Sequence, residues 1–328
     1  MKKRSIFFIT SIFVSLFIFF IASLSIGAYS KVGFYEAILY LSGHSMKKVY
    51  SDIIFYRLIR TMAAFVLGVG LSTSGLTLQY TLKNPLADPF LLGISSGAIL
   101  GVTLADYFGF VSYYYLYLAA WIGSLLSIGI VLLISAYFKS SASSILIAGI
   151  SLSYLLSGIT TIYMIKLGPK IPGVLFWLFG SVAYSTPGIL YKTSIIVFLS
   201  LFFLFLMWKP INSLMLGEDM ATSLGVGVFR TRFLSILIVS ISTSALVAMA
   251  GPVGFIGLAA PWMARLIVGS NYGKSLVMSI FTGGLLAIAS DILARVVLYP
   301  SEAPLTAITS IFGAPFLIYL TLRFKGRI

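Results

Sequence analysis

Along the chain, runs of about twenty apolar residues alternate with short stretches that gather the charges, prolines and glycines. A helix crossing a bilayer core needs about 20 mostly apolar residues. Ten such runs emerge, at approximately 5–29, 61–81, 90–109, 113–138, 143–165, 188–208, 233–250, 253–268, 276–298 and 304–322. The pattern predicts an all-α, polytopic membrane protein of about ten transmembrane helices. Its loops are too short for a soluble domain, so residues 1–328 read as a single transmembrane domain. The first run follows Met1-Lys2-Lys3-Arg4 and is longer than a typical signal-peptide core, so it reads as a span. Gly27-Ala28-Tyr29-Ser30 is a weak cleavage-site candidate.

Ten spans place both termini on one side. Thirteen Lys and Arg fall on that side and nine on the other, which favours cytoplasmic termini. The excess is modest because Lys47, Lys48, Arg57 and Arg60 crowd one outer loop, either as solvated charges or because an acidic partner meets them there. Composition supports the membrane reading. Of 328 residues, 59% are hydrophobic and only 9% charged, against about 25% in soluble domains. The net charge of +14 therefore reflects cationic loops beside apolar spans and not a nucleic-acid groove. With no Cys and a single His, His44, the chain has no disulfide, thiolate nucleophile or His/Cys metal cluster.

The halves echo one another weakly. Arg60 is followed by Ser72-Thr73-Ser74, Pro85 and Phe90-Leu91-Leu92-Gly93; Arg232 is followed by Ser242-Thr243-Ser244, Pro252 and Phe255-Ile256-Gly257. Five spans separate the copies, so the second would be inverted, as in transporters with two alternating gates.

Three segments stand out chemically. In Asn84-Pro85-Leu86-Ala87-Asp88-Pro89 two prolines four apart forbid a regular helix, and Asn84 and Asp88 can cap the unpaired backbone. Gly93, Ser95, Ser96, Gly97, Ala98 and Gly101 follow, small enough for a second helix to approach closely. Residues 214–226 predict a short cytoplasmic helix: Gly217 breaks the preceding run, Glu218 and Asp219 suit a helix N-terminus, and Gly225 suits a C-terminal cap. Met220 and Leu224 would form an apolar face with Ala221, docking either on another protein or on this one. Gly269-Ser270-Asn271-Tyr272-Gly273-Lys274-Ser275 has three residues where a phosphate-binding loop needs four, and joins two apolar runs, so any ATPase would be a separate subunit.

Ionisable residues within the spans are few. Asp291 and Arg295, four apart, can pair locally; Arg295 could also face outward; and Asp106 sits where water would reach it. Pro169, Pro172 and Pro187 make 166–187 a broken outer lip, with Trp177, Tyr184 and Tyr191 at interfacial positions. No catalytic set is visible.

The stretches 84–89 and 92–98, Leu216 to Val226, Gly254-Phe255-Ile256-Gly257-Leu258-Ala259-Ala260-Pro261 with Ala264-Arg265-Leu266, and Asp291 to Arg295 continuing to Gly313-Ala314-Pro315-Phe316 resemble the permease family of ABC importers for iron–siderophores, haem and cobalamin. The resemblance runs in order from about residue 57 to 323. It implies the type II importer fold, with ten helices and a partner permease that is a second copy or a paralogue. It also implies two cytoplasmic ATPase subunits carrying ATP and Mg, an extracytoplasmic binding protein, and no cofactor in this chain. By the same resemblance Leu216, Gly217, Glu218, Asp219, Ala221, Leu224 and Gly225 belong to a coupling helix, Arg57, Arg60 and Arg295 to a binding-protein docking site, and Asn84, Pro85, Leu86, Ala87, Asp88, Pro89, Gly93, Ser95 and Gly97 to a signature turn and packing element. Trp262 stands where many members have His. The alternative is a secondary carrier or channel working alone, consistent with ten spans and the inverted echo.

Overall fold

The computed structural model describes residues 2–27, 29, 31–44, 46–138, 141–168, 177–299 and 301–323. Among them the chain is helical throughout, without strands. The helices are α1 (Lys2–Ser25), α2 (Phe34–Leu41), α3 (Lys48–Thr81), α4 (Ile94–Tyr107), α5 (Tyr113–Phe138), α6 (Ala142–Leu167), α7 (Pro187–Leu206), α8 (Trp208–Leu214), α9 (Glu218–Ser223), α10 (Val228–Ala250), α11 (Ile256–Val268), α12 (Tyr272–Val296) and α13 (Leu305–Arg323), with a 3-10 turn at Pro89–Leu92. Seven of them, α1, α3, α5, α6, α7, α10 and α12, are long and apolar enough to cross a membrane.

The remaining three expected spans are shorter. Helix α4 has 14 residues and α11 has 13, so each is about 20 Å long against a core of about 30 Å. Both are cut at their N-terminal side by chain that cannot stay helical: Pro89 and the left-handed Gly93 before α4, and Gly251-Pro252-Val253-Gly254 before α11. Helix α13 has 19 residues and spans about 28 Å.

Helix α3 begins at Lys48, not at residue 61, so Arg57 and Arg60 lie on a buried helix face and not in an outer loop. Their charges interrupt the hydropathy pattern but not the helix, because both guanidiniums find partners inside the fold. Helix α3 is the hub, packing most extensively on α12 and then on α10, α11, α7 and α1. Small residues permit this. A Cβ on Gly283 would collide with the Ser72 side chain and the Gly68 carbonyl, and one on Gly75 with the Gly257 carbonyl. Gly97 of α4 and Gly123 of α5 meet in the same way. Helices α1 and α6, by contrast, leave most of their apolar surface outside the fold, to be covered by lipid or another chain.

One end of the molecule gathers the end of α1, α2, the start of α3 and the end of α12; it is the arginine end. Opposite lies the terminal end, with the start of α1, the end of α3, and α8 and α9. Helix α10 runs antiparallel to α3, its Arg232 Nε reaching the Thr81 carbonyl at 3.4 Å and its Leu246 packing on Gly70. The inverted echo thus has a structural counterpart. Each long helix is followed by a break and then a short helix entered through a left-handed residue, Gly93 (φ 84°) before α4 and Phe255 (φ 66°) before α11. The two breaks meet, with the Asp88 carboxylate and the Pro89 ring lying against Gly257.

Non-helical backbone buried among spans must find partners inside the protein. Here three irregular stretches tie to one another. Ser181 N donates to Ala250 O (2.8 Å), Leu305 N to Gly180 O (3.1 Å), and Thr306 Oγ1 to Pro252 O (2.7 Å), while Tyr113 Oη donates to Met249 O (3.0 Å). Pro187 opens α7 behind the capping Thr186 side chain. Pro169 and Pro172 lie outside the described residues. At the arginine end, Gly33 N donates to Glu36 Oε2 (2.8 Å) at the start of α2, which holds that carboxyl below its usual range.

Candidate functional site

At the arginine end three guanidiniums converge from α3 and α12, all only 4% exposed. Arg57 reaches back to the end of α1 and donates to the carbonyls of Leu24, Ser25 and Val32 (2.8–2.9 Å) and of Tyr29 (3.1 Å). Arg295 donates to the carbonyls of Ser23 (2.8 Å) and Ile26 (3.3 Å) and to the Ser23 hydroxyl. The two cations therefore cap the orphan carbonyls of a helix C-terminus, where positive charge is favoured. Gly27 allows this, since a Cβ there would strike the Arg57 guanidinium at 2.7 Å.

Arg60 joins the cluster to two carboxylates. Its Nε and Nη2 meet Asp291 Oδ1 at 2.9 Å, and its Nη1 meets Glu302 Oε1 at 2.6 Å. Asp291 also pairs with Arg295 one turn along α12, as their spacing allows. Arg295 is turned inward and not outward. Asp106 is likewise buried, at the end of α4, and not set in water. Beside the cluster lies a cavity of about 190 Å³, bordered by Tyr29, Tyr56, Arg57, Arg60, Arg295 and Glu302.

At the terminal end, α9 is a six-residue helix held between two glycines of positive φ, Gly217 (118°) and Gly225 (78°). Ala221 is fully buried against its own chain, so it does not share a face with Met220 and Leu224. Those two, with Leu216, are 54–64% exposed and form the outward apolar face. Glu218 pairs with the buried Arg232 of α10, and Asp219 is exposed. The Asn212 side chain of α8 accepts from Tyr272 N at 2.9 Å, seating this region on the start of α12.

In the neighbouring turn, Asn84 accepts from Leu86 N and Asp88 from Phe90 N, both at 2.9 Å. Leu86 is exposed, Ala87 and Pro89 are buried, and Ser95 is half-buried. The Gly93 carbonyl takes a hydrogen bond from Ser127 of α5 (2.8 Å). Trp262 donates to the Pro85 carbonyl (3.4 Å) and carries Arg265 over its ring at 4.3 Å, so the residue standing in place of His braces this turn. The segment at 269–275 is a helix start, with the Asn271 side chain accepting from Lys274 N at 3.2 Å.

The sequence marks Arg232 only as the head of the second half of the echo, and does not mark Glu302. Arg232, with Arg230 two residues before it, stands at the head of an apolar run, where a cation is a signal. Glu302 carried none, since its partner lies 242 positions away.

A solved structure described as an inward-facing conformation of a metal-chelate type ABC transporter superposes on this chain with a TM-score of 0.85 at 30% identity, covering 96% of this chain and 98% of that one. PsaBC from Streptococcus pneumoniae shares the fold alone, at a TM-score of 0.53 and 16% identity. The molecule is accordingly an all-helical, multi-pass membrane protein with the type II permease fold of ABC importers. More particularly, the chain belongs to the FecCD transport family, whose model matches residues 15–323. Its relatives include a probable iron chelatin transport system permease protein of Helicobacter pylori strain J99, 35% identical over 88% of this chain and 87% of the relative. The probable siderophore transport system permease YfhA of Bacillus subtilis is 36% identical, with coverages of 84% and 82%. The probable haem-iron transport system permease IsdF of Staphylococcus aureus strain Newman is 34% identical, with 82% and 81%.

Proposed function

We propose that this chain is the permease subunit of a binding-protein-dependent importer that carries an iron chelate of the siderophore or haem type into the cytoplasm. Two ATPase subunits drive it from the terminal end, and a second permease chain, identical or paralogous, completes the path. The observation that carries this reading is α9: a helix too short to stand alone, fixed between two positive-φ glycines, with Leu216, Met220 and Leu224 presented to the outside. That is the form of a peg for a groove on another protein. The arginine cluster at the opposite end supports the docking of an acidic binding protein there.

Charge supports an orientation with both termini in the cytoplasm. Arg57, Arg60, Arg295 and Arg232 are inside the fold, so they leave the loop count, and the Lys/Arg bias becomes twelve to six in favour of termini in the cytoplasm.

The test is uptake by the assembled transporter of ferric siderophores, haem and cobalamin as alternative labelled substrates, with Met220→Asp and Leu224→Asp variants. Uptake of one iron chelate should fall at least tenfold in both variants, with the chain still folded and inserted. Unchanged uptake would remove the coupling role from α9. Glu218→Lys is a poorer variant, because it also strands the buried Arg232.

A further inference from the structure

We propose that the groove between α1 and α12 at the terminal end is a binding site for one anionic phospholipid, with an acyl chain lying in the groove and the headgroup phosphate meeting Lys274.

The groove has a volume of about 430 Å³ and is bordered by Ile9 and Phe13 of α1, by Val268 at the end of α11, and by Val277, Met278 and Phe281 of α12. Phe13 and Phe281, their ring centroids 4.3 Å apart, stand at its inner end. Along α12 it runs from Gly273 to Phe281, about 12 Å. Spread over that length, 430 Å³ leaves a cross-section of about 36 Å², less than half that of a helix about 10 Å across. A partner helix does not fit there, whereas an alkyl chain does. Phe13 and Val277 are exposed, so the groove opens on the apolar surface and not into the fold.

Charge appears only at the mouth. Lys274 borders the groove at the terminal end, is exposed, and pairs with no carboxylate among the described residues. Beside it Trp208 of α8 packs against Gly273, with the Lys209 amine 5.7 Å from the centre of the indole ring. Helices α1 and α12 run in the same direction, Phe13 beside Phe281 and Ser23 beside Arg295. In that register positions 2–4, Lys-Lys-Arg in the sequence, fall level with the loop before Lys274. An apolar slot capped by uncompensated cations and an interfacial tryptophan matches both halves of an anionic lipid, the chain below and the phosphate above. A soluble anion would use the cations alone. A zwitterionic lipid would gain little from them, because its own ammonium offsets the phosphate.

The headgroup would lie at the corner where the Asn212 side chain of α8 accepts from Tyr272 N. A bound lipid thus braces the seat of α8, the helix that leads into α9.

The test is native mass spectrometry of the full chain, released from detergent micelles holding equal amounts of phosphatidylglycerol and phosphatidylcholine with the same acyl chains. The first lipid retained should be phosphatidylglycerol, in at least fivefold excess over phosphatidylcholine. Lys274→Ala should bring the ratio close to one, and Lys274→Arg should keep the preference. Val277→Trp, which fills the slot, should lower retention of both lipids at least threefold. Lys274 and Val277 are both exposed, so these variants keep the packed face of α12, and an unchanged thermal midpoint in detergent checks that. Glycerol phosphate in hundredfold excess should leave the lipid in place; displacement would reduce the site to one for free phosphate and overturn the proposal. Equal retention of the two lipids by the native chain would overturn it as well. So would a preference that survives Lys274→Ala, one that Lys274→Arg loses as fully as Lys274→Ala, or retention untouched by Val277→Trp.

Discussion

Asp291 and Glu302 both meet Arg60, yet their energetic roles differ because one is covered and the other wet. Removing one partner from a buried ion pair strands the remaining charge and costs about 3–5 kcal/mol. Asp291→Asn removes the buried carboxylate that two guanidiniums share, so thermal unfolding in detergent should show a large loss of stability. Glu302→Gln should change stability by about 1 kcal/mol or less, since exposed pairs contribute little. A similar contrast holds for glycines. Gly283→Ala would overpack the α3–α12 crossing, at about 1–3 kcal/mol. Gly158→Ala, on α6 with no atom within 4 Å of its new methyl, should be close to neutral. Equal midpoints for the two variants would remove the close crossing as a source of stability. At this scale the sequence was legible where partners are neighbours, as with Asp291 and Arg295. It was mute on the pairing of Arg60 with Asp291, 231 positions apart, because no local spacing encodes it. Arg57 and Arg60, whose partners are all distant in sequence, therefore read as loop charges.

Among elements, the long spans were legible because bilayer thickness imposes one length on all of them. Short pieces were not: α2, α8 and the 3-10 turn at Pro89–Leu92 are set by local contacts, not by hydropathy. The existence and glycine limits of α9 were readable, but the inward turn of Ala221 was not, since a six-residue helix has too few turns to declare a face. The end of α1 illustrates how one element depends on side chains from others. Its carbonyls are satisfied by Arg57 and Arg295. Arg57→Met should therefore free the stretch leading to α2, and trypsin should cut after Lys31 several-fold faster in the variant than in the native chain. Identical cleavage rates would show that the arginine does not hold that stretch.

For the whole molecule, the absence of cysteine makes orientation directly measurable. Single cysteines at Ser42, in the arginine-end loop, and at Ser223, in α9, are both exposed positions. A membrane-impermeant maleimide applied to intact cells should label Ser42→Cys and spare Ser223→Cys until the membrane is opened. The reverse pattern would invert the assignment of both ends.

Helix α3 joins these two ends without interruption. Its 34 residues make a rod about 50 Å long, with the glycine contacts at Gly68 and Gly70 about two thirds of the way along from Lys48. Pivoted there, such a rod is a lever with unequal arms. A tilt of about 5° about that point would carry the Lys48 tip through roughly 3 Å and the Thr81 tip through roughly 1.5 Å in the opposite direction. A displacement of the arginine cluster would thereby be returned, reversed in sense, beside the peg formed by α9.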